Sequence, residues 1–205
     1  MGDRVDDALR DSGLLADTDV ERFRQAGHFV YESGDHGDTW LALDLLFADP
    51  RRLRRAAARL AEKLAPHAPD LICGPLNGGA LVGQWVAYEL DVAFVYAAPQ
   101  PRSDGVTATY AIPSALQPLV PGRRAIVVDD AINAGSAVRA CRSEIEKHAG
   151  RVVGVASLLA RTPSVLDLGI RHVPVEYLVG VPWNIWSPVE CPLCRSGVPL
   201  HAPGC

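Results

Sequence analysis

The sequence predicts an α/β fold: a parallel sheet flanked by helices, with a smaller unit at the N-terminal end. Three observations predict it. Short apolar runs at residues 71–73, 92–96, 124–128, 152–159 and 175–179 alternate with helical patterns at 80–90 and 137–148. The 205 residues are 48% apolar and 21% charged, which supports one sizeable core and excludes disorder as the main state. The unusual residues lie in the turns after the runs, as in sheets that bind ligands at the carboxyl ends of their strands.

Taken in order, about the first 26 residues read as helical, with Thr18 and Glu21 at capping-box spacing and Gly27 as the stop. Residues 28–32 and 39–45 predict two short strands around the turn 33–38, whose His36 is expected at the surface. Asp49 and Pro50 form an N-cap followed by proline at the first helical position, opening an Arg- and Ala-rich helix to about Leu64. Residues 97–121 are rich in Pro, Ala, Ser and Thr and lack periodicity. Between two core strands such a stretch predicts a lid.

A net charge of −4 excludes a nucleic-acid binder held by phosphate contacts. No apolar run approaches the ~20 residues of a spanning helix, and the start MGDRVDDALRDSG lacks a signal-peptide pattern. The expectation is a cytoplasmic protein with no membrane partner. Five cysteines, an odd number, predict reduced thiols rather than a disulfide framework. Cys73 and Cys141 fall in apolar runs and are expected in the core. Cys191 and Cys194, with His201 and Cys205, offer a candidate Zn²⁺ knuckle, against which stands the plainer reading of solvent-facing or strand-capping thiols. Trp183 and Trp186 are expected to pack on the core or on a dimer partner. Of the 20 basic residues only Lys63 and Lys147 are lysines, so no mechanism can rest on several lysines.

The densest chemistry is at residues 126–138. A buried run ends in Asp129 and Asp130, and a turn of small residues, Ala131, Ile132, Asn133, Ala134 and Gly135, feeds a helix through Ser136 and Ala137. Backbone N–H groups at such a turn make a nest for a phosphate, and the paired acids can accept hydroxyl hydrogen bonds or help hold hydrated Mg²⁺. This segment resembles the PRPP-binding motif of type I phosphoribosyltransferases, and its Asp-Asp-Ala-Ile-Asn-Ala-Gly-Ser-Ala-Val is most similar to the orotate branch. Residues 29–34 resemble that branch's hood strand, Gly74, Pro75, Leu76, Asn77, Gly78 and Gly79 its pyrophosphate loop, and 97–110 its mobile loop. Residues 154–161 resemble the strand whose terminal arginine reads the orotate carboxylate, and 186–194 a tail found in some orotate-type sequences.

The resemblance implies a type I phosphoribosyltransferase-like fold with a hood at 1–48, a core at 49–180 and a CxxC-bearing tail at 181–205. It implies transfer of 5-phosphoribose from PRPP to a nitrogen heterocycle, orotate by default, with Mg²⁺ and release of pyrophosphate. Binding of PRPP or a nucleotide with little turnover, or a different acceptor, stands as the alternative. Asp129 and Asp130 would contact the ribose, residues 131–137 the 5′-phosphate, and loop 74–79 pyrophosphate and metal. Arg102, the only cation in the lid, would close over the site from the partner subunit of a homodimer. Arg161 is read equally as a bidentate partner for a carboxylate on the base and as a surface-paired arginine. Trp40 is read as a stacking surface for the base or as a hood-core aromatic. Where the orotate pattern places lysines, this chain has Glu32 and Asn77, and Asp104 stands where a histidine is expected.

Overall fold

Alternation along one strand divides the core in two. In β6 (Arg124–Ile132), Ile126 and Val128 face one side of the sheet and Ala125 and Val127 the other, all four fully buried. The structure, a computed structural model, describes residues 2–15, 20–31, 33–100, 109–162 and 173–202. Five parallel strands, β3 (Leu71–Pro75), β4 (Ala93–Pro99), β6, β7 (Arg151–Arg161) and β8 (Val175–Val181), lie in the order β4-β3-β6-β7-β8. The edge strand β5 (Tyr110–Ala111) pairs antiparallel with β4.

On the Ile126 side pack α1 (Gly2–Ser12), α4 (Pro50–Leu64) and α5 (Gly78–Leu90). The other side is covered by α6 (Ser136–Lys147) through Val138, Cys141 and Ile145. Helix α4 forms because its apolar residues repeat at helical spacing, so that Leu53, Ala56, Ala57, Leu60, Ala61 and Leu64 share one buried face. Its start is fixed as the sequence predicts: Asp49 accepts hydrogen bonds from the amides of Arg51 and Arg52, each at 3.1 Å. Cys73 and Cys141 are both fully buried, and a hydrogen bond between the two thiols, with burial, pushes the Cys141 pKa upward. Among the described residues no helix is long and apolar enough to cross a membrane.

The N-terminal unit departs from the sequence reading. The helical stretch breaks into α1 and the single turn α2 (Val20–Phe23), and β1 (Arg24–Val30) begins where helix was expected to continue. Gly27 lies inside this strand, next to an irregularity between Ala26 and Phe29, so it stops no helix. The ladder to β2 (His36–Leu41), from Arg24 opposite Leu41 to Val30 opposite His36, overrides the local helical pattern. Thr18 lies outside the described residues. Strand β2 ends at Leu41 rather than Leu45, and Asp44–Phe47 forms the helical turn α3. His36 is a buried strand residue, not a surface one.

A short strand from the tail, β9 (Ile185–Trp186), completes an antiparallel sheet in the order β1-β2-β9. Asn184 reinforces the join, its amide and side chain both donating to Asp38 at 3.1 and 2.6 Å. Trp183, fully enclosed, packs on the core as expected. The stretch read as a lid is partly ordinary strand: β4 runs on to Pro99 and β5 returns beside it, with Ala98 opposite Ala111. Arg102 and Asp104 lie outside the described residues, as does Glu32.

Candidate active site

Strand β6 continues four residues past the apolar run because it stays in register with β7, Asp129 opposite Ser157 and Ala131 opposite Leu159. The ladder therefore delivers both acids to the carboxyl end of the sheet as strand residues. Asp129 is 8% exposed, and its carboxylate accepts the Asp130 amide at 3.0 Å. The Ala131 amide donates to Asp130 at 2.8 Å. Burial pushes the Asp130 carboxyl above its ordinary pKa, and the neighbouring charge of Asp44 pushes the same way, against the hydrogen bonds from Asp129 and the backbone.

These acids form the floor of a cavity of about 470 Å³. One wall is the turn into α6. Gly135, at φ +73°, takes the left-handed conformation that turns the chain from strand to helix, and no side chain caps the helix start that follows. The opposite wall is the turn from β3 into α5, with Pro75, Leu76, Asn77, Gly78 and Gly79 exposed to the cavity. The Leu76–Asn77 peptide is cis. Gly78 permits the close approach: a Cβ there would lie 2.0 Å from Asp130 Oδ2 and 2.5 Å from its Cγ. Two anion-suited turns and a carboxylate pair thus face one volume.

The hood forms the roof. Tyr31 and Ser33 flank the hairpin turn, and Trp40 lies nearly parallel to the Tyr31 ring with centroids 6.3 Å apart. The Tyr31 hydroxyl donates to the Thr39 carbonyl, and burial raises its pKa. Beyond Trp40 a small recess of about 40 Å³ runs between Ala131, Asn133 and Trp183. Arg161, predicted to read the base, lines neither the cavity nor the recess; its Nη1 is 3.5 Å from the carbonyl oxygen of Trp183, which lines the recess. Its Nε is buried with no hydrogen-bond partner among the described residues. Burial lowers the Arg161 pKa, opposed by Tyr31 and Asp35.

The fold brings together Asp129, Asp130, Ala131, residues 133–137, Pro75–Gly79 and Trp40. Two predicted loop residues stand apart. Ile132 is 1% exposed and packs into the α6-side core, and Gly74 is a strand residue opposite Tyr96. The sequence reading missed Ser33, Asp44, Phe47 and Tyr110, which all line the cavity. Asp44, a lone acid in the apolar run 41–47, was the one available signal. The tail reading is also corrected. His201 is occupied in backbone pairing with Phe29, its ring 6.3 Å from the Phe29 ring, and the imidazoles beside Cys191 and Cys194 are those of His28 and His36. Cys205 lies outside the described residues.

Residues 46–187, from α3 to the end of β9, match the family described as the phosphoribosyl transferase domain. The chain belongs to this family. Among similar phosphoribosyltransferases, the orotate phosphoribosyltransferase of Pelotomaculum thermopropionicum is 31% identical over 87% of this chain and 89% of its own. That of Caldanaerobacter subterraneus subsp. tengcongensis is 30% identical over 87% and 88%. Among solved structures, orotate phosphoribosyltransferase of Mycobacterium tuberculosis H37Rv superposes with a TM-score of 0.60 at 17% identity, over 86% of this chain and 95% of that one. Adenine phosphoribosyltransferase of Thermoanaerobacter pseudethanolicus gives 0.55 at 20%, over 70% and 88%. At these identities the structures establish the shared fold.

Proposed function

We propose that this phosphoribosyltransferase transfers 5-phosphoribose from PRPP to a nitrogen heterocycle bearing a carboxylate, orotate being the default acceptor, and releases pyrophosphate. One observation carries the reading: the carboxylate pair and both anion-suited turns open on a single cavity that also holds an aromatic face. In this assignment the amides of residues 133–137 hold the 5′-phosphate, Asp129 and Asp130 accept from the ribose hydroxyls, and the 75–79 turn holds pyrophosphate. Trp40 offers its ring to the base, and the unpartnered Arg161 donor reads its carboxylate. The transition state is oxocarbenium-like, so the protein acts by holding the base nitrogen and the anomeric carbon in line, and by stabilising the leaving anion.

Mg²⁺ suits this donor set: Asp129, Asp130 and Asp44 supply hard oxygens beside the place assigned to the substrate's own phosphates. When bound there, the ion would neutralise charge on the departing pyrophosphate. The lid cation Arg102, a homodimer that carries it to the neighbouring site, and a cytoplasmic location belong to the same reading.

The test is pyrophosphate release from PRPP and Mg²⁺ with a panel of carboxylated and uncarboxylated bases. Release with a carboxylated pyrimidine supports the proposal; saturable PRPP binding with no release from any base overturns it in favour of binding without turnover. Arg161→Gln is expected to raise KM for the carboxylated base about 10- to 100-fold, the loss of a charged hydrogen bond, while KM for PRPP stays unchanged. Asn77→Lys restores a cation to the pyrophosphate turn and is expected to raise kcat about tenfold or more, measured by the same release assay.

A further inference from the structure

The hairpin of the hood and the turn of the tail bring four donor atoms to one point. His28 comes from β1, His36 opens β2, Cys191 stands at the N-cap of the short helix α7 (Pro192–Arg195), and Cys194 lies within it. His28 Nε2 is 3.1 Å from His36 Nδ1, 3.3 Å from Cys191 Sγ and 3.7 Å from Cys194 Sγ. Cys194 Sγ is 3.2 Å from His36 Nδ1. All four atoms lie within 4.8 Å of one another, and His28, His36 and Cys191 are 1%, 7% and 0% exposed.

Hydrogen bonds from Cys191 to His28 Nε2 and from Cys194 to His36 Nδ1 leave the 3.1 Å approach of the two ring nitrogens unaccounted for. His28 Nδ1 is 2.8 Å from the Val198 carbonyl oxygen, which can only accept, so Nδ1 carries the ring proton and Nε2 presents a bare lone pair. Three polar neighbours crowd that one lone pair, which can take one proton. A cation at the centre satisfies all four groups together. Tetrahedral zinc, with bonds of about 2.0–2.1 Å to nitrogen and 2.3 Å to sulfur, requires edges of about 3.3 Å between nitrogens and 3.6 Å between nitrogen and sulfur. The one nitrogen–nitrogen and three nitrogen–sulfur edges given above agree within about 0.4 Å. Two thiolates and two imidazoles match zinc rather than magnesium or calcium, and the Val198 carbonyl fixes the tautomer as an outer-shell partner does.

We propose that His28 Nε2, His36 Nδ1, Cys191 Sγ and Cys194 Sγ form a structural zinc site that clips the tail to the hood. Binding releases the two thiol protons to solvent and leaves no net charge on the S₂N₂ site. With all four positions taken by protein, no position is open for chemistry. The four residues stand outside the walls of the active-site cavity, so the site does not depend on the phosphoribosyl-transfer reading. Its structural effect passes through the hairpin: His28 and His36 bracket the turn that presents Tyr31 and Ser33 to the cavity.

The test uses the full chain, purified under reducing conditions and titrated with Zn²⁺ or Co²⁺. One zinc per chain by elemental analysis, and a cobalt spectrum with thiolate charge-transfer and tetrahedral d–d bands, is the expected result. Cys194→Ser, at an exposed position, and His36→Ala are each expected to weaken zinc binding at least tenfold, with circular dichroism reporting on the fold. His201→Ala and Cys205→Ser are expected to bind as the parent does. The proposal is overturned if the parent binds no zinc, if Cys191 and Cys194 are recovered only as a disulfide, or if His201→Ala loses metal that His36→Ala retains.

Discussion

Replacing both acids at the end of β6, Asp129→Asn together with Asp130→Asn, is expected to lower kcat/KM for PRPP by about 10²- to 10⁴-fold, two charged hydrogen bonds being lost. Asparagine keeps the shape of the floor, so the effect reads charge rather than volume. The same variant is expected to melt no lower than the parent, and higher if the Asp130 effect dominates. Burial holds the Asp130 carboxyl above its ordinary pKa, so the folded state binds its proton more tightly than the unfolded state does. Its contribution is therefore fully present below the unfolded-state pKa and is lost as pH rises through the raised folded-state pKa. An amide removes the cost of the buried charge near neutrality. Calorimetric titration with PRPP beside thermal melts separates the two effects; PRPP binding at parental strength would remove Asp129 and Asp130 from the ribose-binding role.

Gly78→Ala is expected to reduce kcat/KM about 100-fold or more. The new methyl group would sit 2.0 Å from Asp130 Oδ2, 2.5 Å from its Cγ and 2.9 Å from the Phe47 ring. Asp130 is short and is held by the Ala131 amide, so relief requires breaking that hydrogen bond or shifting the turn. Either movement separates the carboxylate pair from the 75–79 turn. Gly83, in the same helix, is the control: its Cβ would meet the edge of the Phe94 ring at 3.2 Å, which a small ring displacement relieves. Alanine there is expected to leave kcat/KM within about twofold, with a gain in helix propensity of about 1 kcal/mol offsetting the tighter contact. Steady-state kinetics on the two variants distinguishes them.

The parts of this fold legible in the sequence are those governed by neighbours along the chain. Asp49 and Pro50 mark the start of α4 because a cap acts over three residues, and the central strands show because both their faces are apolar. The paired acids and the small-residue turn were legible for the same reason. Long-range pairing hid the rest. Helical periodicity near Arg24 gave way to a ladder with β2, reinforced by an ion pair from Arg24 to Asp6 at 2.6 Å. Strand β6 passed through two aspartates that read as a strand end, because β7 held its register. The CxxC was visible, but its histidine partners lie more than 150 residues away and meet it through long-range pairing, the join of β2 to β9 and the bridge of Phe29 to His201. Nearby His201 was the natural choice from spacing, and a backbone bridge had already engaged it.

That join also orders events in time. The strands β1 and β2 are made before every strand of the larger sheet, yet the third strand of their own sheet is residues 185–186, and the bridge to Phe29 waits for residue 201. The α/β core can begin to pack while the chain is still growing, since domains fold from the N-terminal side as they emerge. The roof of the cavity cannot be finished then. A nascent chain released before residue 185 would carry the acids and both turns under a hairpin whose β2 lacks its partner on one edge. Synthesis of residues 185–201, rather than collapse of the core, is thus the event that completes the roof.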